Sequence, residues 1–185
     1  MQISTSDAYH AVIRWQARRE HSALELKEKL ARYGASQDII VEVLTKVRDK
    51  DLQSDARFAE CLTRSRLSQG YGAVRIRQLL MQKGIDESLL SETLDAYSEG
   101  TYELAFKVLA KKYKMLDPAD EPRGVADSRG VADSWGVADE RGVSEGVSFE
   151  MLARMKRFLQ YRGFTHEDIN AAVSLYKERV LNVSS

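Results

Sequence analysis

The sequence has very little proline and cysteine. Of its 185 residues, two are proline, Pro118 and Pro122, and one is cysteine, Cys61. Because proline is the residue that most strongly interrupts a helix, the rest of the chain can be helical. A single cysteine cannot form an internal disulfide, which is typical of proteins in a reducing cytosol. We therefore expect a mainly helical, cytoplasmic protein.

Long hydrophobic runs, strand patterns and an excess of one charge are also missing. No apolar segment is long enough to cross a bilayer, and the start has no signal-peptide pattern, so we expect no membrane partner. No run of alternating β-branched residues is bounded by turns. Twenty-eight basic residues balance 28 acidic ones, so the total charge argues neither for nor against a nucleic-acid partner. These absences predict an all-α fold.

A helical pattern recurs three times, each time around a glycine. A leucine stands four residues before each glycine, and a helix-capping residue stands two residues after it. The three sets are Leu30, Gly34, Ser36; Leu80, Gly84, Asp86; and Leu159, Gly163, Thr165. The sequence therefore predicts three tandem three-helix repeats, at residues 1–50, 51–100 and 101–185.

Local signals also indicate where several helices begin. Asp7 can cap the first helix, and Ser22 can cap the second in a capping box with Glu25. In the third repeat we expect one helix over residues 149–162 and a last helix from Thr165 to about Leu181.

The third repeat is longer than the others because it contains a hexapeptide repeat. The six residues 123–128 recur unchanged at 129–134, and decaying copies follow. A six-residue period with valine is typical of a left-handed β-helix, but these few copies make about one coil, which cannot bury a stack. We therefore expect a flexible, acidic, glycine-rich insertion at about 118–148.

No pattern indicates catalysis. His10, His21 and His166 are far apart in the sequence, and none has the neighbours that a metal site requires. The segment Gly70-Tyr71-Gly72 lacks the further glycine and the preceding strand of a nucleotide-binding loop. Cys61 lies between Phe58 and Leu62, so we expect a buried or part-buried structural thiol. We predict that the protein is not an enzyme and needs no metal or cofactor.

A helix-turn-helix that reads DNA is a more serious alternative. Leu80, Gly84 and Leu89 fit the spacing of the turn. The helix that would enter the major groove, however, carries Glu87 and Glu92, and phosphate repels such a surface. The corresponding helices of the other repeats are acidic as well, so this interpretation fails on charge.

The basic residues lie on the helices that precede the glycines. Residues 64–83 contain no acidic side chain, whereas residues 86–103 contain no lysine or arginine. A charge run is most often only a solvated face. The same register recurs in the second and third repeats, however, and this favours an anionic partner.

At these residues the chain resembles the RecX regulators of the RecA recombinase. The first repeat contains Arg19-x-His21-Ser22-x-x-Glu25-Leu26, the second contains Arg64-x-Arg66 and Gly70-Tyr71-Gly72-x-x-Arg75-Ile76, and the third contains Arg157-Phe158-Leu159-x-Tyr161-Arg162-Gly163. The resemblance covers nearly all the chain except residues 118–148.

The resemblance implies an elongated, curved array of the three repeats and no catalytic activity. It implies a monomer that binds the RecA filament on single-stranded DNA and inhibits its extension, ATP hydrolysis and strand exchange, thereby modulating recombination and DNA repair. The alternative is a stand-alone DNA- or RNA-binding helical module. The candidate residues for binding RecA or DNA are Arg64, Arg66, Tyr71, Arg75, Arg77, Lys83, Arg154, Lys156, Arg157 and Arg162.

Overall fold

The computed structural model describes residues 3–113 and 148–183, and this part of the chain contains nine α-helices and no strand. The helices are α1 (Thr5–Gln16), α2 (Ala23–Arg32), α3 (Gln37–Asp49), α4 (Asp55–Ser68), α5 (Ala73–Gln82), α6 (Glu87–Asp95), α7 (Thr101–Lys112), α8 (Phe149–Arg162) and α9 (His166–Val183). The all-α prediction is confirmed. The predicted hexapeptide insertion lies outside the described residues, except for Ser148, which caps α8.

The helices form three units, each with its own hydrophobic core. Unit one consists of α1–α3, unit two of α4–α6 and unit three of α7–α9. Leu30, Leu80 and Leu159, the leucines of the predicted repeat, are fully buried, one in each core. Removing such side chains from water supplies about 2–3 kcal/mol each, which is what holds a small three-helix unit together. The predicted repeat architecture is confirmed.

The middle helix of each unit ends in the same way. Gly34, Gly84 and Gly163 have φ angles of 95°, 75° and 82°, a left-handed conformation that favours glycine. The capping residue two positions later then starts the last helix of the unit. The Asp86 carboxylate, for example, accepts hydrogen bonds from the backbone N–H groups of Ser88 and Leu89.

Three local predictions were wrong or only half right. Ser4, not Asp7, caps α1; Asp7 is the third residue of the helix and completes a capping box with Ser4. Ser22 caps α2 as predicted, but the Glu25 carboxylate bonds to Arg19 and Lys83. Cys61 is exposed because α4 buries its opposite face, so the prediction of a buried or part-buried thiol was wrong.

Units one and two meet at a contact that we call joint one, where the start of α2 packs against the end of α5. Lys83 Nζ lies 2.6 Å from Glu25 Oε1. Just beyond it, a Cβ added at Gly84 would lie 3.0 Å from Leu24. The Ala23 N–H, at the first turn of α2, donates to the Asp55 carboxylate of unit two at 2.8 Å.

Units two and three meet at joint two, where the start of α5 packs against the end of α8. The N–H groups of Gly72 and Val74 each donate to a backbone carbonyl, of Arg162 and Gly163 respectively, at 2.9 Å. The last carbonyls of one helix thus satisfy the first N–H groups of another, and α5 has no side-chain cap. A Cβ at Gly72 would lie 2.4 Å from the Gly163 carbonyl oxygen, so this approach requires glycine.

Candidate functional site

The two joints use equivalent positions of the repeat but opposite charges. Glu25 and Arg75 each stand nine residues before the glycine of their own unit, and Lys83 and Arg162 each stand immediately before the glycine of the following unit. At joint one this register places a carboxylate against an ammonium. At joint two it places two guanidinium groups near one another. At the position where joint one has the carboxylate of Glu25, joint two therefore has the guanidinium of Arg75.

The carboxylate of joint one is well satisfied. The Glu25 side chain is only 12% exposed, and its oxygens lie 2.8 Å from Arg19 and 2.6 Å from Lys83. Burial alone would raise the pKa of Glu25. The hydrogen bonds from Arg19 and Lys83 outweigh that effect and hold the pKa at about 2. Joint one is therefore a closed ion-pair contact.

Joint two holds its cations against aromatic rings instead. The guanidinium carbons of Arg75 and Arg162 lie 5.6 and 5.2 Å from the centre of the Tyr71 ring, and Arg75 lies 5.6 Å from that of Tyr161. Arg162 Nη1 also donates to the Gln69 carbonyl at 2.9 Å. Within the described residues, no carboxylate oxygen lies within 4.0 Å of either guanidinium. Cation–π contacts fix both groups without cancelling their charge.

This arrangement is suited to binding an anion. Two positive groups on one aromatic ring repel each other, and an oxyanion bound near them would relieve that repulsion. Their positions are already fixed by packing, so little conformational entropy is lost on binding. We call Tyr71, Arg75, Tyr161 and Arg162 the joint-two surface.

The structure brings together three of the ten predicted site residues, Tyr71, Arg75 and Arg162. Arg66 belongs to the same turn, since its Nη1 donates to Gln69 Oε1 at 2.6 Å and its carbonyl accepts from the Tyr71 N–H. These four residues surround the end of α4 and the end of α8.

The other six predicted residues lie elsewhere. Lys83 belongs to joint one, and Arg77 forms an ion pair with Glu87 of α6. Both have local carboxylate partners, which accounts for their charge without an outside ligand. The remaining four are exposed, one on α4 and three along α8: Arg64, Arg154, Lys156 and Arg157.

Sequence reasoning missed Tyr161 as a site residue. Its ring is 71% exposed on α8 beside Arg162, and Arg75 of the preceding unit packs against it. Tyr161 is part of the segment that carries the family resemblance, and this signal could have identified it as a site residue. Its contact with Arg75 could not be predicted, because Arg75 is 86 residues earlier in the chain.

The buried histidine has a structural role. His21 Nδ1 lies 2.8 Å from the Arg19 carbonyl and Nε2 lies 3.1 Å from Lys29 Nζ, so Nδ1 carries the proton and Nε2 accepts. Burial, and then the charges of Arg19 and Lys29, lower the pKa of His21, which keeps the ring neutral. Among the described residues, no three His, Cys, Asp or Glu side chains are placed to hold a metal ion. None of the described helices combines the length and the apolar character needed to cross a membrane.

The comparisons with known proteins agree with one another. Models of the first, second and third three-helix domains of RecX match residues 8–46, 54–94 and 144–173. The chain is 35% identical to the regulatory protein RecX of Chromohalobacter salexigens, over 88% of each chain. It is 30% identical to that of Legionella pneumophila, over 94% of this chain and 97% of the relative. The crystal structure of RecX from Lactobacillus salivarius has a similar fold, with a TM-score of 0.66, 20% identity and coverage of 92% and 94%.

Proposed function

The chain belongs to the RecX family of regulatory proteins, and from this premise we propose that it binds a RecA-type recombinase filament on single-stranded DNA. Binding inhibits extension of the filament, ATP hydrolysis and strand exchange, and so modulates recombination and DNA repair. The protein acts as a cytoplasmic monomer and catalyses no reaction of its own. The observation that carries the proposal is the joint-two surface, where the part-exposed Arg75 and Arg162 have no carboxylate partner among the described residues.

The repeat architecture supports a filament as the partner. Three units in tandem, which we propose to span residues 1–50, 51–100 and 101–185, can contact several protomers of a filament at once. Contacts linked in one chain raise each other's effective concentration, so weak individual contacts become a tight complex. A zero net charge limits indiscriminate binding to nucleic acid, which leaves local charge to direct the contact.

The proposal is tested by measuring the ATPase rate of a RecA-type recombinase on single-stranded DNA at increasing concentrations of this protein. We expect the parent protein to inhibit, and Arg75→Ala to need about tenfold more protein for the same inhibition, the usual scale for a well-placed charge-assisted contact. Arg77→Ala is the matched control. It removes the same charge from the same helix, but Arg77 already has Glu87 as its partner.

Two outcomes would contradict the proposal. If saturating parent protein left the ATPase rate and the filament length unchanged, the protein would not be a recombinase inhibitor. Nucleic-acid binding in the same experiment would then favour the alternative, a stand-alone DNA- or RNA-binding module. If Arg75→Ala and Arg77→Ala inhibited equally well, the joint-two surface would not be the binding surface.

A further inference from the structure

A second basic site lies beside joint two, on the other side of Arg162. A cavity of about 550 Å³ opens where the end of α4 meets α7 and α8. Among the described residues, no acidic side chain lines it and four cationic side chains do: Lys107, Lys111, Lys112 and Arg162. We call it the α7 groove. A cavity of this size falls within the usual range of ligand sites.

The cations of the α7 groove come from two helices, three from α7 and Arg162 from the end of α8. Lys107 and Lys111 are exposed and one helical turn apart, so they lie on the same side of α7. Lys112 Nζ lies 4.4 Å from the centre of the Phe158 ring, and the guanidinium carbon of Arg162 lies 5.4 Å from it. The hydrogen bond from Arg162 to the Gln69 carbonyl holds the guanidinium in place. Four positive charges without a counter-charge among the described lining residues suit a ligand that carries more than one negative group.

The aromatic side chains favour a nucleic acid over an acidic polypeptide as this ligand. Tyr161 follows on the same helix as Phe158, and most of its ring is exposed. An exposed ring beside a basic groove lets an unpaired base stack while its phosphate meets the cations, and such stacking contributes about 1–3 kcal/mol per base. A glutamate-rich peptide has no comparable group for the ring. In a duplex the base faces are already covered, so the strand must be single.

We propose that the α7 groove binds the phosphates of a single-stranded nucleic acid directly, through Lys107, Lys111 and Arg162. This site goes beyond the proposed function, because it needs no recombinase and lies mainly on α7. It also gives unit three a contact on α7, next to the joint-two surface and sharing Arg162 with it.

The test is the binding of fluorescently labelled oligothymidine to the full chain, measured by anisotropy without any recombinase over a range of salt concentrations. The variant Lys107→Ala/Lys111→Ala removes two phosphate contacts. Each contact to a single strand contributes about 0.7 to the slope of log K against log salt, so the slope should fall by about 1.4 and affinity at 0.1 M salt by about 25-fold. Lys107→Arg/Lys111→Arg should restore most of the loss.

The matched control is Lys27→Ala/Lys177→Ala, which removes two charges from exposed positions outside the groove. It should bind oligothymidine nearly as the parent does. The proposal is overturned if the parent does not bind oligothymidine, or if the groove variant and the control lose affinity equally. It is also overturned if polyglutamate of equal charge, or ATP at equal phosphate concentration, displaces the strand as well as unlabelled oligothymidine does. If the parent inhibits the recombinase but the groove variant still binds oligothymidine as the parent does, this inference fails while the proposed function stands.

Discussion

The ion pair at joint one predicts how Glu25→Gln changes the stability of the protein. Glutamine keeps the size of the side chain and one oxygen acceptor, but it removes the negative charge that lies between Arg19 and Lys83. The pKa of Glu25 falls from 4.5 to about 2 in the folded protein. Each unit of such a shift corresponds to 1.36 kcal/mol, which sets an upper limit of about 3 kcal/mol on the stabilisation.

Exposure of the two partners reduces this figure. The side chains of Arg19 and Lys83 are 55% and 40% exposed, so water screens much of their attraction to Glu25. We therefore expect Glu25→Gln to lower the free energy of unfolding at pH 7 by about 1–2 kcal/mol, which is roughly 2–8 °C in melting temperature for a chain of this size. Glu28→Gln is the control, since Glu28 is exposed on the same helix.

The loss must also depend on pH. The folded-state pKa lies below the unfolded-state value, so the contribution of Glu25 is fully present above about pH 4.5 and is lost as the pH falls towards 2. Urea unfolding of parent and variant, followed by circular dichroism at pH 7 and pH 3, measures both quantities. At pH 3 the difference should have fallen by more than half. Equal stability at pH 7, or a difference that persists at pH 3, would refute the account of joint one.

Two further predictions concern backbone strain and the buried histidine. Both Gly163→Ala and Gly34→Ala should lower the free energy of unfolding by about 1–2 kcal/mol because of the left-handed conformation. Urea unfolding should show a clearly larger loss for Gly163→Ala, because its new Cβ would lie 2.5 Å from the Arg75 backbone nitrogen, whereas that of Gly34 meets no atom within 4 Å. Equal losses would contradict the packing at joint two. The pKa of His21, followed by NMR, should be lower in the folded protein than in urea. The free energy of unfolding should consequently decrease as the pH falls below about 6.5. An unchanged or higher folded-state pKa would show that burial does not hold the ring neutral.

The fold could be predicted from the sequence because its signals are local. Leucines at helical spacing, a glycine that ends a helix and a capping residue two positions later all act within a few residues of one another. The helix predicted over residues 149–162 is α8, with the same bounds. Cys61 was misplaced because Phe58 and Leu62 beside it suggested a buried face, whereas the buried face of α4 is set by Phe58, Ala59 and Thr63.

The joints could not be predicted because their partners are far apart in the chain. Lys83 was predicted as a candidate for binding RecA or DNA, yet it binds Glu25, which stands 58 residues earlier. Gly72 is needed for the close approach of the Gly163 carbonyl, which stands 91 residues later, and no local pattern indicates that contact. A charge pattern shows which helix is basic, and it does not show which of its cations already have a partner.

One rule nevertheless connects the sequence register to the charge of each joint. The position nine residues before the glycine of one unit faces the position immediately before the glycine of the next, as Glu25 faces Lys83 and Arg75 approaches Arg162. The same rule accounts for the positions that face no neighbouring unit within the described residues: Tyr33 in unit one and Arg154 in unit three, both of which are exposed. In this chain the charge of each joint therefore depends on two residues, and a substitution at either one would change a closed ion pair into a contact of one sign or the reverse.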